Sequence, residues 1–180
     1  ASYNEWGQMT QEVTTDWFEG IPLPQPVTFI YDEWGKAVQV IHADGTVEND
    51  TFDPVTRTQV KWLNGGGKTI TVINAFGKPD SIERVDTQGR SYGKTLHTYD
   101  GFGRCLETIT PENLKTRFSY DMFGRVTETQ LPDGTVITRQ YDPRSAGDHP
   151  ITVKANGYTL GARTYDALMR ITSTRVGGGR

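Results

Sequence analysis

The sequence has one cysteine, Cys105, which excludes an internal disulfide framework and leaves the redox compartment open. Its three histidines, His42, His97 and His149, stand apart without the spacing of metal ligands. Lysine plus arginine (19) nearly balance aspartate plus glutamate (22), and a net charge of −3 gives nucleic acid or anionic lipid nothing to attract. No apolar run approaches the ~20 residues of a membrane span, and no basic-then-apolar leader is present. Hydrophobic residues are only 34% of the 180, and no sustained 3.6-residue apolar period argues for helix. The 20 glycines and many threonines suit antiparallel strands that are wet on both faces.

What the chain does have is a recurrence. Tyr120-Asp121-Met122-Phe123-Gly124-Arg125 is nearly repeated at Tyr99-Asp100-Gly101-Phe102-Gly103-Arg104. Cruder copies stand at Tyr31-Asp32-Glu33-Trp34-Gly35-Lys36 and Tyr3-Asn4-Glu5-Trp6-Gly7-Gln8. Degenerate ones begin at Phe52-Asp53, Ile73-Asn74, Tyr141-Asp142 and Tyr165-Asp166. The Asp or Asn positions step by 28, 21, 21, 26, 21, 21 and 24 residues, a base period of 21 with insertions. A fixed period of this size means one small unit used many times. About eight units of ~21 residues fill residues 1–180 as one array without a domain boundary. Both ends lie inside the pattern, so the chain reads as a segment of a longer array.

The hexamer has the chemistry of a turn. The aromatic ends a strand, Asp accepts from backbone N–H groups ahead of it, and Gly supplies a positive φ. A second signal sits half a unit on, at Asp44-Gly45, Gly65-Gly66, Asp133-Gly134, Asn156-Gly157 and Gly178-Gly179. These dipeptides predict two-residue type I′ hairpins. Folding about Asp133-Gly134 sets Leu131 opposite Val136 and Glu128 opposite Arg139 as a cross-strand ion pair. Pro22, Pro24 and Pro26 predict a loop or extended edge, since proline cannot donate to a ladder. Residues 85–93 read as a longer second loop, and residues 144–150 as another insertion. The predicted fold is all-β, with antiparallel hairpin repeats forming a curved open sheet.

Other chemistry is weaker. Gly65-Gly66-Gly67-Lys68-Thr69 resembles a phosphate loop, but Trp62 stands where the motif needs glycine, and the β-branched Thr69–Ile73 follows where a helix should. A hairpin explains it better. Trp6, Trp17, Trp34, Trp62 and Phe76 could stack on sugars; recurrence at turn slots explains them first. No catalytic, cofactor-binding or metal residues emerge, and an enzyme is not expected.

Tyr-Asp-x-x-Gly-Arg followed by Pro132-Asp133-Gly134-Thr135 resembles the YD repeat of the Rhs family, which includes bacterial Rhs polymorphic toxins, the B and C components of Tc toxins, and teneurins. The resemblance runs from about Tyr3 to Arg170 and is specific at 31–36, 99–104 and 120–125. It implies a structural segment of a hollow β-shell that encapsulates a toxin domain in a secreted bacterial toxin. The implied partners are the rest of the shell and the enclosed toxin, with self-association expected at exposed strand edges. The structural residues it implies are Tyr31, Asp32, Gly35, Tyr99, Asp100, Gly103, Arg104, Tyr120, Asp121, Gly124, Arg125, Tyr141, Asp142, Tyr165 and Asp166. The family's aspartyl self-cleaving segment carries Asp-Pro-x-Gly; Asp142-Pro143-Arg144-Ser145 lacks the glycine and occupies an ordinary turn slot. The alternative is a carbohydrate-binding or adhesion module built from the same repeats. No nucleic acid or membrane span is expected, and glycans are not favoured.

Overall fold

A computed structural model describes residues 1–143, 145–168 and 170–177. It is all-β: sixteen strands and no helix among the described residues. The chain divides into two compact units, Ala1–Lys94 and Thr95–Arg180. In the first, β1 (Ser2–Tyr3), β2 (Met9–Phe18), β3 (Ile21–Tyr31), β4 (Ala37–Ile41), β5 (Val47–Asp53), β6 (Thr58–Leu63), β7 (Lys68–Ile73) and β8 (Pro79–Val85) pair in chain order. β9 (Ser91–Tyr99) begins there and pairs through Leu96–Tyr99 in the second unit. It is followed by β10 (Cys105–Ile109), β11 (Lys115–Tyr120), β12 (Val126–Gln130), β13 (Val136–Tyr141), β14 (Pro150–Ala155), β15 (Tyr158–Tyr165) and β16 (Ile171–Val176). Within each unit every pairing described is antiparallel and between consecutive strands, so each is a meander.

Neither unit has a dry core. Val85 is the one buried hydrophobic residue among the described residues, and Arg125 and Thr129 are the buried polar ones. This follows from strands in which threonine, charge and aliphatic residues share both faces. The ladder and the turns, together with half-buried side chains, hold such a sheet.

Three local expectations are corrected. Of the loop or extended edge expected at the prolines, Ile21–Tyr31 is the extended edge, and what is corrected is their exclusion from a ladder: Pro22, Pro24 and Pro26 lie opposite Trp17, Thr15 and Val13. Prolines two apart all turn their nitrogens to the same side, here away from β2, so no ladder donor is lost.

The turns at Asp44-Gly45 and Asp133-Gly134 are not type I′, because only the glycines (φ 84° and 85°) have positive φ. Instead Leu131 N–H donates to Thr135 O and Gly134 N–H to Leu131 O, the three-residue turn with a glycine bulge. The longer loop moves the register by one. Glu128 therefore faces Thr138, and Arg139 donates to Thr129 Oγ1 at 2.8 Å instead of pairing with Glu128. Asn156-Gly157 does have the type I′ pattern, with φ of 46° and 84°. Gly178-Gly179 lies outside the described residues.

Finally, residues 85–93 hold no long loop. β8 runs to Val85, and a tight turn at Asp86–Arg90 leads into β9. Gly65–Gly67 joins two strands, β6 and β7. A Cβ on Gly67 would meet the Val85 carbonyl, so the third glycine answers to the neighbouring strand.

Candidate functional site

One backbone closure recurs throughout. At Asp100, the N–H donates to Arg104 O (2.9 Å), and Gly103 N–H returns to Asp100 O (3.0 Å). The same two bonds close Asp121–Arg125, Asp32–Lys36, Asn74–Lys78 and Asn4–Gln8. They also close the half-unit turns at His42–Thr46, Asp86–Arg90, Thr110–Leu114 and Leu131–Thr135. Glycine holds the fourth place because its φ is positive there: 75° at Gly103 and 80° at Gly124. Asn113 holds it with φ 62°. Asparagine tolerates that region, which is why a turn without glycine escaped the Asp-Gly signal.

The Asp side chain reinforces this closure. Asp121 Oδ1 accepts from Phe123 N–H (2.9 Å) and Arg125 N–H (3.0 Å), while Oδ2 accepts from Arg125 Nε (2.7 Å). Asp100 does the same with Phe102 and Arg104, and Asp166 with Leu168 and Arg170. Asp86 with Arg90 is a complete further copy. Its Asp-x-x-Gly-Arg was legible, but Val85 in the tyrosine slot and a position half a period from Asn74 hid it. Asp32 caps Trp34 and Lys36, while the Lys36 ammonium turns instead to Asp50 at 3.0 Å.

Charge follows geometry. Partial burial pushes the Asp100 and Asp121 carboxyls up, but hydrogen bonds from Arg104 and Arg125, backbone and guanidinium, outweigh it and hold both below the ordinary carboxylate range. At Asp166 the Arg170 N–H is the largest cause of the same lowering. Burial raises the phenols of Tyr120 and Tyr141.

Successive turns then touch. The Arg104 guanidinium lies 4.9 Å from the Tyr120 ring and 5.3 Å from Phe102, and Nη1 donates to Asp121 O at 3.1 Å. In return the Tyr120 hydroxyl donates to Cys105 O at 2.7 Å. Arg125 repeats the clasp: it lies 4.4 Å from Tyr141 and 5.1 Å from Phe123 and donates to the Ser145 and Gly147 carbonyls. The Tyr141 hydroxyl returns to Val126 O at 2.9 Å. In the first unit, Gln8 takes the arginine's part, donating to Gly35 O, and the Tyr31 hydroxyl donates to Met9 O at 2.7 Å. Tyr165 reaches back to Pro150 O at 3.4 Å.

The degenerate copies differ. Asp53 ends β5 and accepts from Val55 N–H and Thr56 Oγ1, with Arg57 at φ 53°. Asp142 O accepts from Ser145 N–H. The histidines are scattered: His42 meets Glu48, His97 meets Thr108 and His149 stacks on Tyr165. No group of metal-ligating side chains exists among the described residues.

Residues 99–136, which hold the two clasped turns, match the RHS Repeat family. That stretch carries Rhs repeats. No curated protein matches it. Its fold is that of part of TcdB2-TccC3: the crystal structure matches 92% of this chain with a TM-score of 0.52 at 17% identity. TcdB2-TccC3-Cdc42 matches 91% at the same score and identity. TcdB2-TccC3 without its hypervariable C-terminal region matches 91%, with a TM-score of 0.51 at 16% identity. The chain spans 11% of the length of each.

Proposed function

We propose that the whole chain is an Rhs-repeat array and a structural, non-catalytic segment of a hollow β-shell, whose parent protein encloses a toxin domain and is secreted. Residues 1–180 are then one array of about eight units, part of a longer one. The observation that carries the reading is the clasp, in which Arg104 and Arg125 each bind their own turn and the tyrosine of the next. Such contacts give a repeat array its cohesion between neighbours, which a wall one sheet thick needs. The side chains that carry the motif are engaged in these contacts, as a structural role requires. The fold shared with TcdB2-TccC3 supports the reading.

The test has two arms. Electron cryomicroscopy of the full-length parent is expected to show a hollow β-walled shell with density inside. The isolated chain is expected to be silent on a glycan array. A specific sugar bound at micromolar affinity and lost in Trp34→Ala or Phe123→Ala would overturn the shell in favour of a carbohydrate-binding module.

A further inference from the structure

The hairpin of β2 and β3 runs on past its neighbours. β1 meets β2 only at Met9 and Gln11, and β4 meets β3 only from Thr28 to Tyr31. Residues 12–18 and 21–27 pair with each other alone in the described ladder, an arm about 23 Å long at ~3.3 Å per residue. Its tip, Glu19-Gly20, has φ of 49° and 79°, a two-residue type I′ turn. That turn makes Phe18 and Ile21 a hydrogen-bonded pair. Alternation then makes Trp17/Pro22, Thr15/Pro24 and Val13/Pro26 non-bonded pairs whose backbone groups point outward.

The two edges of the arm therefore differ. On the β3 edge all three outward nitrogens are proline and carry no hydrogen. On the β2 edge Val13 and Thr15 present outward N–H and C=O groups, while the Trp17 N–H is taken by Asp16 Oδ1 at 2.8 Å. One edge is barred to strand addition and the other is not. Along the open edge Glu12 and Asp16 share one face, and Val13 and Trp17 the other. Residues 11–28 contain Glu12, Asp16 and Glu19 and no lysine or arginine, so the arm's net charge of −3 equals that of the whole chain. Trp17, Phe18 and Ile21 are 67%, 63% and 62% exposed.

We propose that the β2 edge over Glu12–Asp16 docks an extended segment of a partner protein, added as a strand, in which basic and apolar residues alternate. Main-chain bonds to Val13 and Thr15 supply the pairing, basic side chains face Glu12 and Asp16, and apolar ones lie over Val13 and Trp17. A second copy of the arm would set acidic residues against acidic ones. An anionic lipid surface would repel the Glu19 tip.

The probe is a capped peptide of about seven residues alternating lysine and valine, titrated into the whole chain while amide exchange is followed by NMR. We expect saturable binding and slowed exchange at Val13 and Thr15. Thr15→Pro removes an outward donor and leaves the β2–β3 bonds intact, so it should weaken binding about tenfold or more. E12K/D16K should lose the lysine–valine peptide and accept a glutamate–valine one, a readout that stands even where Thr15→Pro fails to fold. Absence of binding would overturn the proposal, as would binding that E12K/D16K leaves unchanged. Slowed exchange at Val13 and Thr15 on adding zwitterionic vesicles, or on raising the concentration of the chain alone, would also overturn it and assign the edge to a membrane or a second copy.

Discussion

At the scale of the residue, one side-chain oxygen, from Asp or Asn, closes most of the main turns. Asp121 accepts two backbone N–H groups and a guanidinium, and the geometry requires Gly124 at φ 80°. A Cβ there would meet only Arg104 Cδ, at 3.9 Å, so the cost of Gly124→Ala is conformational and not steric crowding. Gly124→Ala should destabilise by about 1 kcal/mol or more in urea denaturation. Gly103→Ala should do the same, since φ there is 75°.

The turn carboxylates also set a pH response. Asp44, Asp86, Asp100, Asp121, Asp133 and Asp166 are all held below their ordinary value. A carboxyl depressed in the fold contributes stability that is present above its unfolded pKa, about 3.9, and is lost as pH falls through the folded value. Denaturation midpoints should therefore be flat near neutrality and fall together below about pH 4. Asp121→Asn should make that fall shallower.

At the scale of the element, the number and type of strands were legible because the 21-residue period and its half-unit turns are explicit in Tyr-Asp-x-x-Gly-Arg and Pro-Asp-Gly-Thr. Register was not. Asp-Gly serves both a two-residue turn and a bulged one, and only the backbone of Leu131–Thr135 decides between them. The slip of one residue moved Arg139 from Glu128 to Thr129. The prolines left loop and extended edge open for a related reason: proline forbids a donor on one side of a strand, and β3 needs none there. The clasp between turns was also hidden, because Arg125 and Tyr141 are 16 residues apart and nothing local marks them as neighbours. It is the tightest such contact, with Arg125 8% exposed. Tyr141→Phe should cost about 1 kcal/mol through the lost bond to Val126 O. Arg125→Ala should cost about 2 kcal/mol, combining the ion pair with its stacking on Tyr141. A double-mutant cycle between the two positions, with alanine at both, should return a coupling near 1 kcal/mol.

At the scale of the whole molecule, stability must come from neighbours. With Val85 the one buried hydrophobic residue among those described, each strand depends on the ladder beside it more than on a shared interior. A strand that is last in its order then has a partner on one side only. β16 pairs with β15 through Gly161–Val176 to Tyr165–Ile171, and all six of its residues are exposed. Among the described residues nothing pairs with its other edge, which offers backbone donors and acceptors to any strand that arrives, and its sequence carries one charge, Arg175, to discourage one. We therefore expect the isolated chain to self-associate through this edge. Sedimentation velocity should show a concentration-dependent increase in mass. Thr174→Lys, which adds a charge to the same strand, should shift the species toward monomer without changing the far-ultraviolet β signal. A species that stays monomeric across a wide concentration range would contradict this expectation.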